Sequence, residues 1–153
     1  LVPQWSNANP ISLNEFVNLI PRWESPSAPH PTIIGDGGLA YGRYQIHHTM
    51  VRDYNRITGR KVAHVVAFDP EFSRHIAKTV LEYYSEVIRR QGIVPTVDHW
   101  LFIWNGGGGA WVRVQEPIND NKQRNLERYK RRAHKIINQY INEKKRRKSP
   151  KGA

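Results

Sequence analysis

Three short stretches of this chain combine residue types that could do chemistry. The first is Trp23-Glu24-Ser25, which closes a run of apolar residues at helical spacing. A carboxyl at a helix C-terminus feels the negative end of the macrodipole, which disfavours its ionised form. An apolar neighbour such as Trp23, packed on the carboxyl, would push the same way. A carboxyl that keeps its proton near neutral pH is what general acid catalysis requires. Taken alone, Glu24 reads more readily as a solvated group at a helix end. The second stretch is Gly35-Asp36-Gly37-Gly38-Leu39-Ala40-Tyr41-Gly42-Arg43-Tyr44-Gln45-Ile46. Its glycines let backbone approach a ligand closely, Asp36 supplies another carboxylate, and Gln45, with Tyr44 beside it, offers both donor and acceptor groups. The plainer reading is a glycine-rich hairpin. The third stretch is Trp104-Asn105-Gly106-Gly107, where an Asn and exposed backbone could line a cleft and Trp104 or Trp111 could present a flat face to a sugar ring. A helix C-cap explains the same residues. Tyr129, in a later helical run, reads by itself as a core residue.

Other chemistries are excluded by what the sequence lacks. There is no Cys, so no thiol nucleophile, disulfide or thiolate-held metal exists. His47 and His48 are adjacent and cannot share one face of a helix or strand, and the remaining His show no metal-ligand spacing, so no metal and no cofactor are expected. No Gly-x-Ser-x-Gly elbow and no phosphate-binding Gly-x-x-x-x-Gly-Lys loop occur.

The elements that must position these residues are mostly helices. Ser12-Leu13-Asn14-Glu15 has the form of a capping box, and Leu13, Phe16, Val17, Ile20 and Trp23 follow at helical spacing. Pro21 should kink or shorten the last turn, leaving Glu24 at or just past its end. Three Pro between Ser25 and Pro31 require a loop. A second helix is expected from about His48 to Thr58, stopped by Gly59 and burying Val51, Tyr54 and Ile57. Asp69-Pro70 starts a third, running to about Arg90 with Phe72, Ile76, Val80, Tyr83, Tyr84, Val87 and Ile88 along its stripe. Thr96 can cap a fourth, Val97 to Trp104, apolar on most sides and so central. A loop through Pro117 and Ile118 leads to a last helix from about Asn119–Asn121 to Glu143. The expected fold is mainly α, of α+β type, with five to six helices and at most a short β-hairpin near residues 32–46. Residues 1–11 read as an irregular lead-in, 12–143 as the one folded domain, and 144–153 as a basic disordered tail.

The 153 residues carry 24 Lys and Arg against 13 acids, a formal net charge of +11. The excess is concentrated between Lys122 and Lys151, where the only acids are Glu127 and Glu143. Such a chain is drawn to polyanions, whether nucleic acid, anionic membrane surface or bacterial wall, and charge does not choose among them. No apolar run is long enough to span a membrane. No charged-then-apolar leader is visible, which reads as the absence of a signal peptide.

Together the stretches form a recognisable order: Trp-Glu-Ser, Gly-Asp-Gly-Gly-x-Ala-x-Gly-x-x-Gln-Ile, Trp-Asn-Gly-Gly, then a helix with Tyr. Over residues 12 to 140 this order resembles the lysozyme-like superfamily, nearest to its lytic transglycosylase and goose-type lysozyme branch. The resemblance implies a muramidase that cuts the β-1,4 bond between N-acetylmuramic acid and N-acetylglucosamine in peptidoglycan. Glu24 looks like the catalytic acid. Gly42, Tyr44 and Gln45 look like the saccharide-contacting Gly-x-x-Gln element. Trp104, Asn105 and Gly106 look like the opposite wall. Tyr129 looks like the late-helix Tyr that approaches the acid. Asp36 occupies the position of an Asp that handles water in goose-type lysozymes, which favours hydrolysis over formation of 1,6-anhydromuramic ends. The site of action would be the bacterial wall, reached by a phage-encoded or secreted enzyme, with the basic surface adsorbing to anionic wall polymers. Two rival readings stay open: a basic nucleic-acid-binding protein, contacting nucleic acid non-specifically through the tail, and a non-catalytic wall-binding or virion protein.

Overall fold

The computed structural model describes residues 9–27, 30–108 and 119–148. Five α-helices and one two-stranded hairpin make up the described fold, which is mainly α, as the periodicity requires. Helix α1 is Leu13–Glu24. Its capping box is fully formed: the Ser12 hydroxyl accepts from Glu15 N at 3.1 Å, and the Glu15 carboxylate accepts from Ser12 N at 3.0 Å. Pro21 lies inside α1 without ending it. It sits in the final turn, where the one missing N–H costs a single bond near the end of the ladder.

Strands β1 (Ile34–Gly35) and β2 (Ala40–Tyr41) pair antiparallel, Ile34 opposite Tyr41 and Gly35 opposite Ala40. A 3₁₀ turn over Asp36–Gly38 joins them. Helix α2 is His48–Thr58, closed by Gly59 at φ +74°. It buries Met50, Val51 and Tyr54, while Ile57 is only partly covered. A 3₁₀ turn at His64–Phe68, which the sequence pattern did not mark, backs onto the hairpin: the rings of Tyr41 and His64 stack at 3.7 Å. Helix α3 is Pro70–Arg90, and the Asp69 side chain caps it by accepting from Glu71 N at 3.0 Å. Tyr83 was expected on its buried stripe. It is exposed, its ring lying under the Arg56 guanidinium at 5.4 Å, because Tyr84 takes the inward position.

Helix α4, Val97–Gly106, runs two residues past its expected end and buries Val97, Trp100, Leu101, Ile103 and Trp104. Helix α3 packs on α1, α2 and α4; helix α5, Asp120–Lys148, covers α1 and α4. The last helix passes its expected end at Glu143 by five residues, so Lys144–Lys148 is helical and not a disordered tail. The cause is an anchor: Lys144 Nζ donates to Glu15 at 2.7 Å, and Tyr140 donates to the same carboxylate oxygen. Ile11, assigned to the irregular lead-in, is buried in the core. The rest of that lead-in (1–8), Trp111 with the loop through Pro117 and Ile118, and the tail from residue 149 lie outside the described residues. No helix among the described residues is long and apolar enough to cross a membrane.

Candidate active site

Glu24 is the last residue of α1, and the residue after it fixes its surroundings. Ser25 N donates to Pro21 O at 2.9 Å, and Ser25 Oγ donates to Arg43 O at 2.8 Å. The end of α1 is thereby tied to the turn that carries Gln45. Glu24 itself is partly buried. Burial pushes its carboxyl up from 4.5 to about 7, against the opposing pull of a hydrogen bond from Tyr129 and of the Arg132 charge. A displacement of that size corresponds to roughly 3 kcal/mol in favour of the neutral acid. At neutral pH a substantial fraction of Glu24 is therefore a proton donor.

Tyr129 comes from α5 and is buried beside it. Trp23 Nε1 donates to the Tyr129 hydroxyl oxygen at 2.9 Å, which leaves the hydroxyl proton for Glu24. Trp23 thus orients the tyrosine that faces Glu24. Arg132, one turn further along α5, sets its guanidinium 5.4 Å from the Tyr129 ring centroid. Burial is the main reason the Tyr129 hydroxyl is held well above its usual 10, so it stays a donor throughout the physiological range. Among the described residues the charged group acting on Glu24 is Arg132, and no carboxylate is among its influences.

Gln45, Trp104, Asn105 and Gly106 come together around a pocket of about 140 Å³, which His47, Thr49 and Met50 also line. Of the first predicted wall only Gln45 lines this pocket, opposite Trp104, Asn105 and Gly106 of the second. Gly42 earns its place by packing: at φ +77°, a Cβ there would lie 2.1 Å from Ala67 O. Its carbonyl accepts from Gln45 Nε2 at 2.8 Å, which accounts for the three-residue spacing between Gly42 and Gln45. A Cβ on Gly35 would lie 2.1 Å from Gln45 Oε1, so Gly35 makes room for that side chain while Gly42 makes room for the backbone at Ala67. Asp36 (φ 50°) and Gln45 (φ 53°) are the two non-glycine residues at positive φ among the described residues. Such backbone costs about 1 kcal/mol or more at a residue like Gln and gathers where a ligand site needs a side chain aimed. The glycine run after Asn105 also has a packing cause. Gly107 ends α4 at φ +79°, and a Cβ on Gly108 would overlap the Tyr84 ring at 1.8 Å.

Several predicted residues take other places. Tyr44 does not face the pocket; the turn points its ring inward, it is 4% exposed, and burial pushes its hydroxyl up to about 12. Asp36 is exposed and engaged elsewhere, its Oδ2 lying 3.1 Å from His47 Nε2. Gly42 shapes the turn and is not a pocket-lining residue, and neither Glu24 nor Tyr129 lines the pocket. The Glu24–Tyr129 pair and the pocket are two separate parts, linked through the Ser25–Arg43 hydrogen bond to the turn that carries Gln45. Sequence reasoning missed Ser25 as this tie, Arg132 as the cation above Tyr129, and His47 as a pocket residue. A signal for His47 was present: it follows Gln45 by two residues, just past the turn and at the start of α2. Among the described residues no group of three or more His, Asp and Glu could hold a metal ion.

Comparison with protein-family models, curated proteins and solved structures finds no match for this chain. The chemistry open to these side chains follows from their states. A neutral Glu24 can give up a proton. The carboxylate left behind accepts the Tyr129 hydroxyl and feels the Arg132 charge, so it can take a proton back.

Proposed function

We propose that the chain cleaves the β-1,4 glycosidic bond between N-acetylmuramic acid and N-acetylglucosamine in peptidoglycan, with Glu24 as proton donor. The observation that carries this reading is the partly buried Glu24, its carboxyl raised to about 7, hydrogen-bonded by Tyr129 and tied through Ser25 to the turn of Gln45. Its motifs resemble those of lysozyme-like enzymes in the same order. Glu24 protonates the bridging oxygen, and the bond breaks through an oxocarbenium-like transition state.

The next step distinguishes hydrolysis from transglycosylation. A hydrolase with two working carboxylates would set the second against the sugar ring. Asp36 is paired with His47 and is not among the groups acting on Glu24. That favours a single carboxyl working in turn as acid and base: Glu24, ionised by the first step, removes the proton of the muramic acid 6-hydroxyl as its oxygen attacks C1. The products would be a 1,6-anhydromuramic end and a free N-acetylglucosamine 4-hydroxyl. Net charge of +11 supports adsorption to the anionic wall, an attraction that salt weakens.

Turbidity loss of a bacterial wall suspension tests the reading. Wild type should clear it and Glu24→Gln should not. Equal clearing by both would remove Glu24 from the mechanism. No clearing by wild type, with tight binding to the walls or to nucleic acid, would favour the non-catalytic readings. Mass spectrometry of the soluble fragments then separates anhydro ends from reducing ends.

A further inference from the structure

His47 occupies the N-cap position of α2, yet its side chain makes no cap hydrogen bond. Its ring turns instead to Asp36, Nε2 lying 3.1 Å from Oδ2, while lining the pocket with Gln45 and Asn105. The hairpin carries one end of this pair, and the start of α2 carries the other. Asp36 stands at φ 50° in the turn joining the strands, and Gln45, two residues before His47, stands at φ 53°. Asp tolerates the left-handed region better than most residues, so the strand-joining turn can present Asp36 to the ring of His47 at the pocket wall.

We infer that Asp36 serves the site through His47: the pair holds the imidazole in the pocket wall as a hydrogen-bonding contact for a saccharide hydroxyl or acetamido group. Asp36 is then a positioning residue and not a second reacting carboxylate. The chemistry of the ring supports this role. With Nε2 turned to the carboxylate at 3.1 Å, the other ring nitrogen, Nδ1, is the one left for a ligand. The ring makes no hydrogen bond among the described residues, so Nδ1 remains for a polar group of a ligand. The pocket around it offers complementary groups: the Gln45 amide and the Asn105 side chain supply donors and acceptors, and Trp104 supplies an apolar face. His47 is half-buried and Asp36 exposed, with side chains 41% and 64% accessible, and neither belongs to the core, so replacing them should leave the fold standing.

The inference rests on the glycan-cleaving reading for its ligand, so the test has a kinetic and a binding arm. Kinetics on defined peptidoglycan glycan strands would compare wild type with His47→Ala, Asp36→Ala and Asp36→Asn, using circular dichroism to check folding. His47→Ala and Asp36→Ala should each raise KM about fivefold to tenfold, the loss of one neutral hydrogen bond, with kcat within about twofold. Asp36→Asn keeps an oxygen of the same size and place against Nε2 and should restore most of the lost affinity. The double Ala variant should be no worse than His47→Ala alone, because the two act as one unit. A fall in kcat of about a hundredfold or more in Asp36→Asn, at unchanged KM, would make Asp36 a reacting group and overturn the inference. So would additive effects in the double variant. Calorimetric titration with chitotetraose stands independently of cleavage. If wild type cuts no glycan, the catalytic reading fails, but weakened chitotetraose binding in both Ala variants would still support the pair. Binding equal to wild type in both would overturn it.

Discussion

Helix α1 carries a glutamate near each end, and each meets a tyrosine from α5, yet the two carboxyls are driven in opposite directions. Glu15, in the first turn, is held down at about 2, chiefly by Lys144 and then by Tyr140. Glu24, in the last turn, is raised to about 7 by burial, with Tyr129 able to offset only part of the effect. A tyrosine hydroxyl is common to both. The difference lies in solvation and in a directly bound cation. Lys144 donates straight to Glu15 at 2.7 Å, whereas Arg132 lies over the Tyr129 ring and reaches Glu24 only through its field. The helix dipole works in the same sense at each end, favouring the charge on Glu15 and opposing it on Glu24. One end of the helix is thus an anchor and the other a store for a proton.

The largest effect should come from removing that proton. Glu24→Gln should lower the rate of glycan cleavage by about 10² to 10⁴-fold, the usual contribution of a general acid, while the protein unfolds at the same temperature or higher. The same comparison gives opposite pH behaviour to the two glutamates. The folded chain keeps a proton on Glu24 that the unfolded chain releases, so its share of stability is intact below about 4.5 and lost as pH rises through about 7. Glu15 has the reverse sign, its share being present above 4.5 and lost as pH falls toward 2. Urea unfolding of wild type from pH 5 to 8 should show the first trend, and Glu24→Gln should flatten it.

Gly42→Ala should come next. The new methyl meets Ala67 O and the backbone is left at positive φ, a loss of about 3 kcal/mol that chemical denaturation would measure. The hairpin should detach from the 3₁₀ turn at His64–Phe68, and activity should fall with it. Tyr129→Phe is smaller in stability but more informative. It strands the buried Trp23 Nε1 donor, costing about 1 to 3 kcal/mol. It also removes the hydrogen bond that lowers the Glu24 pKa, so the alkaline limb of the activity profile should move to higher pH. A limb that stays in place would mean that Tyr129 does not act on Glu24. Glu15→Gln, at the anchored end, should cost about 1 to 2 kcal/mol through the weakened cap and the lost Lys144 and Tyr140 contacts, with little change in the pH dependence of activity.

The contrast between the two glutamates was half legible in the sequence. The capping box at Ser12–Glu15 is a local pattern and could be read directly, as could the terminal position of Glu24, because both depend on residues within one turn. The partners that set their charge could not be read. Tyr140 and Lys144 are more than 120 positions from Glu15, and Trp23 meets Tyr129 across 106. The same gap explains the basic end of α5: its composition suggested a disordered tail, but a long-range ion pair and the partial burial of Tyr140 and Ile141 keep it helical. Gln45 and Asn105 were found from residue type, and the pocket brings them together. Tyr44 was misplaced because a tight turn reverses side-chain direction within two residues, which no periodicity records.

Titration of the Glu24 carboxyl carbon by ¹³C nuclear magnetic resonance, assigned by its loss in Glu24→Gln, tests the central claim most directly. The signal should turn over near pH 7, well apart from the other glutamates. A midpoint near 4.5 would mean that Glu24 is an ordinary solvated carboxylate, with no proton to give at neutral pH.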